Sequence, residues 1–171
     1  MDIVHADIRG VSSFAVQSFN IHINYFQASI LMRGHTPLLM DTGLTPLIKY
    51  TIAGMHSRPR WMAPEILLPP DDISMDEIPY TEQTDVYAFG MTILEVMTGK
   101  LPYSHRRYDA VVMLDVIRGT RPNRPLDPPM SDDVWRIVTA CWETKPEKRP
   151  SAALVGAWVD LARYSESHQL Y

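Results

Sequence analysis

The strongest pattern of apolar residues in this chain lies within residues 84–99. Apolar positions recur there every three or four residues, and additional apolar residues widen the stripe around the charged Glu95. A period close to 3.6 residues predicts an α-helix, and so wide a stripe predicts that the helix is buried on most sides. The residues that form the stripe are Val86, Phe89, Gly90, Ile93, Leu94, Val96 and Met97. We therefore predict a central core helix.

Both ends of this helix carry the expected capping residues. Thr81 and Thr84 can accept hydrogen bonds from the free amides of a first helical turn. Gly99 can adopt the left-handed conformation that commonly ends a helix, and Lys100 and Pro102 follow it. The sequence thus predicts both boundaries.

Three further helices are predicted downstream, covering residues 109–118, residues 132–144 after the N-cap Ser131, and the segment that follows Pro150 and Ser151. Their expected buried residues are Val112, Leu114, Val116 and Ile117, then Val134, Trp135, Ile137, Val138, Cys141 and Trp142, then Leu154, Val155, Trp158, Val159 and Leu161.

Two short strands are predicted upstream, at residues 30–32 and 37–40. The turn between them, residues 33–36, contains Gly34. The predicted fold is mainly α with one β-hairpin.

Composition limits the classes of function. A chain of 171 residues with 46% hydrophobic and 21% charged residues is typical of one globular domain. The formal charge of −4 argues against a nucleic-acid partner. Residues 10–32 lack Asp, Glu, Lys and Arg, but polar residues interrupt them too often for a membrane span. The single Cys141 cannot form an internal disulfide, so we expect a buried thiol in a reducing, cytoplasmic compartment.

Three motifs occur in a specific order. Trp-Met-Ala-Pro-Glu occupies residues 61–65, Thr-Asp-Val-Tyr-Ala-Phe-Gly occupies residues 84–90, and Cys141-Trp142 precedes Arg149-Pro150. Together they resemble the second half of a protein kinase catalytic domain of the tyrosine-kinase-like branch. The resemblance implies a helical carboxy-terminal lobe over residues 1–164, with the hairpin near the catalytic loop, and a polar, frayed tail over residues 165–171.

The resemblance also assigns roles near the amino terminus. His5 would be a structural residue of the catalytic loop, and Asp7 would be the carboxylate that accepts the hydrogen bond of the substrate hydroxyl. Arg9 would neutralise the transferring phosphoryl group. From the residues alone, this segment could equally be a solvated loop.

ATP and Mg²⁺ are the cofactors that the resemblance implies. Asp41 and Gly43, within Asp-Thr-Gly, match the metal-binding motif, with Asp41 as the ligand and Gly43 as its flexible glycine. Ser29 stands where an asparagine usually holds the second metal ion, and a serine hydroxyl is a weaker ligand.

Structural roles are implied for three further residues. The resemblance implies an activation segment at residues 44–60. Glu65 would pair with Arg149, 84 residues away, and the pair would fix the anchor of this segment. Asp85 would hydrogen-bond the backbone of the catalytic loop, although an acidic residue near a helix N-terminus needs no such role.

Residues 11–27 interrupt the resemblance. They show neither a helical period nor capping residues. We interpret them as a translated intron, because their codons can carry splice signals and their number keeps the reading frame. The alternative is a loop inserted into the catalytic loop.

The resemblance also shows departures and gaps. Ala6, Ser29, Thr42 and Arg58 differ from the usual residues, and the chain contains no Gly-x-Gly-x-x-Gly loop. We therefore expect that the amino-terminal lobe is absent and that the core is left with a large apolar patch.

Three interpretations of function remain. The first is a kinase that phosphorylates Ser or Thr, or else Tyr, of a protein substrate and is inactive as this chain alone. The second is a pseudokinase-like module that binds a partner kinase domain, and the third is a non-functional fragment.

Overall fold

A computed structural model describes the backbone of residues 30–33, 36–39, 59–71 and 80–168, and the side chains of residues 59–71 and 80–162. Strands β1 (Ile30–Arg33) and β2 (Thr36–Leu39) precede a short helix, α1 (Pro64–Leu67). Helices α2 (Glu82–Thr98), α3 (Asp109–Ile117), α4 (Asp132–Cys141) and α5 (Ala152–His168) follow, with a 3₁₀ turn (Pro146–Lys148) between the last two. The mainly helical fold agrees with the prediction.

The two strands form an antiparallel hairpin. Ile30 lies opposite Leu39, and Arg33 lies opposite Thr36. The predicted hairpin is therefore confirmed, with strand ends shifted by one residue. None of the described helices is long and apolar enough to cross a bilayer.

Helix α2 begins and ends at the predicted caps. The Thr84 amide donates to the Thr81 hydroxyl at 3.3 Å, and the Thr81 amide donates to the Thr84 hydroxyl at 3.0 Å, so the two residues form a reciprocal capping box. Gly99 has φ +63°, and its amide donates to the Glu95 carbonyl oxygen at 2.7 Å. The positive φ explains why glycine ends the helix.

Burial of α2 departs from the predicted stripe. Tyr87 and Met91 are fully buried, whereas Val96 is 61% exposed and Met97 is 39% exposed. Glu95 is 1% exposed and accepts a hydrogen bond from the indole nitrogen of Trp61 at 3.2 Å. The prediction that Val96 and Met97 are core residues was wrong, because the turn of α2 that carries Glu95 is covered by Trp61.

Helices α2 and α4 are in close contact at Gly90. A Cβ atom at Gly90 would lie 2.7 Å from the Cys141 Cβ atom and 3.3 Å from the Val138 carbonyl oxygen. Cys141 is fully buried, as predicted, and burial raises the pKa of its thiol to about 12. Gly90 is therefore needed for close packing of the two helices.

Helices α3 and α5 bury narrower faces than predicted. Val112 and Val116 of α3 are fully buried, but Leu114 is 49% exposed. In α5, Val155 is buried, whereas three residues predicted to be buried are more than one-third exposed, namely Leu154, Val159 and Leu161. Apolar residues at helical spacing do not establish how wide the covered face is.

Two helix ends also differ from the prediction. Helix α4 ends at Cys141, three residues before the predicted end at residue 144. Helix α5 continues to His168, into the segment that was predicted to be a frayed tail from residue 165.

Candidate functional site

A bidentate ion pair joins the buried Arg149 to the half-buried Glu65. Arg149 Nη1 lies 2.6 Å from Glu65 Oε1, and Arg149 Nη2 lies 2.9 Å from Glu65 Oε2. The Arg149 side chain is fully buried, and the Glu65 side chain is 24% exposed. Paired, charge-assisted hydrogen bonds of this kind fix both distance and orientation. The pairing that the resemblance implied is thus present.

The remaining hydrogen bonds of Arg149 reach two other parts of the chain. Nη1 also donates to the carbonyl oxygen of Gln83, in the first turn of α2, at 2.9 Å. Nε donates to the Glu143 carbonyl oxygen at 2.8 Å, and Nη2 donates to the Thr144 carbonyl oxygen at 3.3 Å. One side chain therefore ties α1 to the start of α2 and to the segment after α4.

The residues just before Glu65 are held against the same core. Pro64 occupies the first turn of α1, where its missing amide costs nothing, and Ala63 is 1% exposed. Trp61 is 8% exposed and donates to the Glu95 carboxylate of α2. The motif at residues 61–65 is therefore anchored at both of its ends.

Arg60 extends this anchor to the segment before α3. Its Nε donates to Asp109 Oδ1 at 2.9 Å, and its Nη1 donates to the carbonyl oxygens of Pro102 at 2.9 Å and Tyr103 at 3.0 Å. Its Nη2 donates to the carbonyl oxygen of Arg106 at 3.0 Å. Arg60 is not among the predicted site residues, because its acceptors lie more than 40 residues away along the chain.

The ring of Tyr87 makes cation–π contacts with two guanidinium groups. The Cζ atom of Arg149 is 5.0 Å from the ring centroid, and that of Arg121 is 5.3 Å from it. Tyr87 is fully buried, and this burial, followed by the proximity of Tyr103, raises the pKa of its hydroxyl well above the ordinary value. The ring supports Arg149 from one side by cation–π contact.

No hydrogen bond of ordinary geometry reaches the Tyr87 hydroxyl among the described residues. The hydroxyl of Tyr103 donates instead to the carbonyl oxygen of Thr120 at 2.9 Å. The contact of Tyr87 with Arg149 is made by its ring.

Arg121, which also contacts that ring, is held by backbone carbonyl oxygens. Its Nε donates to Trp142 at 3.0 Å, and its Nη1 donates to Val116 at 3.1 Å. It joins the ends of α3 and α4.

The other predicted site residues divide into two groups. Asp85 lies in the first turn of α2 and is 8% exposed. The predicted catalytic and metal-binding residues Asp7, Arg9, Ser29 and Asp41 lie outside the described residues, as do the predicted structural residues His5 and Gly43. In the part of the chain that the structure describes, no three His, Cys, Asp or Glu residues are grouped so as to hold a metal ion. The described site is thus the anchor around Arg149.

Comparison with curated proteins finds relatives that are named as protein kinases. The chain is 31% identical over 121 residues to the "Probable serine/threonine-protein kinase qkgA" of Dictyostelium discoideum, covering 68% of this chain and 7% of that protein. It is 39% identical over 114 residues to the "Proto-oncogene tyrosine-protein kinase ROS" of Homo sapiens, covering 66% of this chain and 4% of that protein. It is 37% identical over 112 residues to the "Light-sensor Protein kinase" of Ceratodon purpureus, covering 61% of this chain and 8% of that protein.

The matched region spans less than a tenth of the length of each of these three relatives. A family model described as "Protein tyrosine and serine/threonine kinase" matches residues 18–157, which include the three motifs and the whole Arg149 anchor. From this match, the chain belongs to the protein tyrosine and serine/threonine kinase family.

Proposed function

We propose that this chain forms the carboxy-terminal lobe of a protein kinase domain. That domain transfers the γ-phosphoryl group of ATP to hydroxyl groups of proteins. The observation that carries the proposal is the bidentate pair between Glu65 and Arg149. This pair fixes Glu65, which follows the segment that the resemblance identifies as the activation segment. A protein hydroxyl reacts efficiently only when it is held in line with the phosphoryl group, so a fixed anchor contributes to positioning.

The proposed chemistry belongs to two residues of the catalytic loop. Asp7 would accept the hydrogen bond of the incoming hydroxyl and direct its oxygen at the phosphorus atom. Arg9 would offset the negative charge that the phosphoryl oxygens carry during transfer. Both assignments come from the resemblance.

Asp41 and Ser29 would hold the metal ions. Bound Mg²⁺–ATP supplies the phosphoryl group and neutralises part of its charge. A carboxylate at Asp41 suits Mg²⁺, whereas the hydroxyl of Ser29 would bind the second ion less tightly than an asparagine amide. We propose Ser and Thr hydroxyls as the principal acceptors, and the naming of one relative as a tyrosine kinase makes Tyr an acceptor to be tested.

A second candidate function is a kinase-like module that binds a partner protein without transferring phosphate. It is favoured by the departures at Ala6, Ser29, Thr42 and Arg58. Such a module would keep the anchor, which stabilises the lobe, but would not respond to Mg²⁺–ATP.

A phosphotransfer assay separates the two candidates. The longest natural polypeptide that contains these residues would be incubated with Mg²⁺ and γ-labelled ATP, together with Ser-, Thr- and Tyr-containing peptide libraries. Asp7→Asn is the test variant. Glu147→Gln is the control, because Glu147 is exposed in the 3₁₀ turn and lies outside the proposed site.

The proposal predicts transfer of label that falls by about 10²-fold or more in Asp7→Asn and is unchanged in Glu147→Gln. It also predicts that Mg²⁺–ATP raises the melting temperature of both variants. Equal labelling by the wild type and Asp7→Asn would overturn the role of Asp7. No labelling and no shift in melting temperature with Mg²⁺–ATP would support the binding module instead.

A further inference from the structure

Arg121 is a partly buried cation that has no carboxylate partner within the part of the chain that the structure describes. Its nitrogen atoms donate only to neutral acceptors, namely the carbonyl oxygens of Trp142, Val116 and Thr120 and the hydroxyl oxygen of Thr144. Arg149, which contacts the same ring of Tyr87, is neutralised by Glu65. A guanidinium group that is partly removed from water and lacks a counter-charge favours an anion within its reach.

Thr144 lies where this guanidinium group meets solvent. Its hydroxyl oxygen accepts a hydrogen bond from Arg121 Nη2 at 3.3 Å, which is long for a bond of this type. Thr144 is exposed, in the irregular segment between α4 and the 3₁₀ turn, and a hydroxyl in such a segment is accessible to a modifying enzyme. The carbonyl oxygen of Thr144 accepts from Arg149 Nη2 at 3.3 Å. The backbone of Thr144 is thereby tied to the Arg149 anchor.

Space and positive charge are both present beside the Thr144 hydroxyl. A Cβ atom at Gly119 would stand 3.8 Å from Thr144 Oγ1, so the absence of a side chain at Gly119 leaves room there. The exposed charged residues nearest to this point along the two loops are positive at Arg118, Lys145 and Lys148 and negative at Glu143 and Glu147. With Arg121, four cations face two carboxylates.

We propose that Thr144 is a phosphorylation site, and that its phosphate supplies the counter-charge that Arg121 lacks. The phosphate is donated by Mg²⁺–ATP on a separate protein kinase that acts on Ser and Thr. The bond between Thr144 Oγ1 and the γ-phosphorus atom forms as the bond from that atom to the bridging oxygen breaks. ADP leaves with the electron pair of the broken bond, and the hydroxyl proton passes to a base of that kinase. This inference does not depend on the activity proposed above.

Phosphorylation of Thr144 would stiffen the region around Arg149. Arg121 joins the ends of α3 and α4, and Thr144 lies in the segment whose carbonyl oxygens Arg149 holds. A phosphate carries about two negative charges near neutral pH and offers three acceptor oxygens. One long, neutral hydrogen bond between the two loops would therefore become a charge-assisted pair.

The single cysteine of the chain allows this modification to be introduced at one position. A synthetic peptide of residues 141–171, which begins with Cys141 and carries phosphothreonine at position 144, is ligated to a recombinant thioester of residues 1–140. The ligated full chain is then refolded. The same ligation with unmodified threonine gives the reference chain, and urea-induced unfolding compares the two.

Matched arginine variants, made in the recombinant part, show which cation receives the phosphate. Arg121→Met removes the proposed partner, and Arg121→Lys keeps its charge but loses its forked geometry. Arg136→Met is the control, because Arg136 is exposed in α4 and pairs with Asp133. Each variant is measured with and without the phosphate, so that the effect of the substitution on folding cancels.

The proposal predicts that the phosphate raises the folding equilibrium constant about tenfold at low salt and about pH 7.5, and less at higher salt. The gain should persist in Arg136→Met, shrink in Arg121→Lys and fall to about twofold or less in Arg121→Met. No gain in the reference background, or an equal gain in Arg121→Met, would overturn the proposal.

Phosphorus NMR provides a readout of the local contact. The second pKa of the phosphate should be lower in the folded chain than in urea, because Arg121 favours the dianion. The gain in stability should therefore be present at about pH 7.5 and decline towards about pH 5, where the phosphate becomes a monoanion. Equal pKa values in the folded and unfolded chains would contradict the pairing with Arg121.

Mass spectrometry tests whether cells make this modification. The full chain is incubated with Mg²⁺–ATP and an extract of the cells that naturally express it, with phosphatases inhibited, and is then digested with trypsin. The peptide that follows Arg136 and ends at Lys148 contains two hydroxyl residues, Thr139 and Thr144. We expect phosphate on Thr144, and its loss in Thr144→Val. Phosphate on Thr139 alone, or none on this peptide, would overturn the proposal.

Discussion

Gly90 and Cys141 lie in contact where α2 crosses α4, and the distance leaves no room for a side chain at Gly90. A Cβ atom there would stand 2.7 Å from the Cβ atom of Cys141. Gly90 and Cys141 both lie in the packed interior, so neither helix can move aside without disturbing its neighbours. This contact fixes the position of α4 and of the segment after it, whose carbonyl oxygens accept hydrogen bonds from Arg149.

Replacing Gly90 by alanine should therefore destabilise the fold. Alanine favours a helix over glycine by about 1 kcal/mol, but the steric overlap should cost more, and we expect a net loss of about 1 to 2 kcal/mol in the free energy of unfolding. Urea-induced unfolding of the chain measures this change.

Gly156→Ala is the matched control for that experiment. Gly156 lies in α5, and a Cβ atom there would meet nothing within 4 Å. This substitution should stabilise the fold by up to about 1 kcal/mol. Equal effects at the two glycines would show that helix propensity, rather than the crossing of α2 and α4, governs Gly90.

Substitutions of Tyr87 should separate its ring from its hydroxyl. In Tyr87→Phe the ring that contacts Arg149 and Arg121 is kept and a poorly satisfied buried hydroxyl is removed, so stability should be unchanged or rise by about 1 kcal/mol. Tyr87→Leu removes both cation–π contacts and should cost about 2 to 3 kcal/mol. Thermal and urea unfolding measure both. A loss above about 1 kcal/mol in Tyr87→Phe would indicate instead that the hydroxyl forms a stabilising hydrogen bond.

The raised pKa of Cys141 predicts a loss of stability at alkaline pH. In the unfolded chain the thiol ionises near its ordinary pKa of 9.0, whereas in the folded chain the pKa is about 12. Between these values the folded state binds more protons than the unfolded state, so stability falls as pH rises. Tyr87 contributes in the same direction at still higher pH, because its pKa is also raised.

The contribution of Cys141 can be isolated by comparison with Cys141→Ala. The free energy of unfolding should fall more steeply between about pH 9 and 10 in the wild type than in this variant. In the native state the thiol should also resist alkylation at about pH 8 and should react once urea unfolds the chain. Rapid alkylation of the native chain would contradict the buried placement.

Much of the helical framework is predictable from the sequence because its signals are local. Thr81 and Gly99 identify the ends of α2, and Ser131 identifies the start of α4, since each acts on amides or carbonyls within one turn. The pair between Glu65 and Arg149 was accessible through the resemblance, not through any local pattern.

The burial and hydrogen bonds that the sequence pattern did not predict depend on residues far away along the chain. Glu95 is buried because Trp61, 34 residues earlier, covers and hydrogen-bonds it. Val96 and Leu114 are exposed because burial depends on which neighbouring segment packs against each helix face, and hydropathy does not report this. Arg60 has no local partner and finds its acceptors more than 40 residues away.

Arg149 and Glu65 couple α1 to the start of α2 and to the segment after α4, and thereby anchor the segment before α1. A double-mutant cycle on Arg149→Met and Glu65→Gln tests this claim through the free energy of unfolding. The exposed pair between Arg136 and Asp133, at 2.9 Å within α4, provides the control cycle. Its coupling energy should be below about 0.5 kcal/mol.

For Arg149 and Glu65 we predict that Arg149→Met alone costs about 3 to 5 kcal/mol, because it leaves a carboxylate and several carbonyl oxygens without their donor. We predict a coupling energy of about 1.5 to 3 kcal/mol between the two residues. A coupling energy no larger than that of Arg136 and Asp133 would contradict the account.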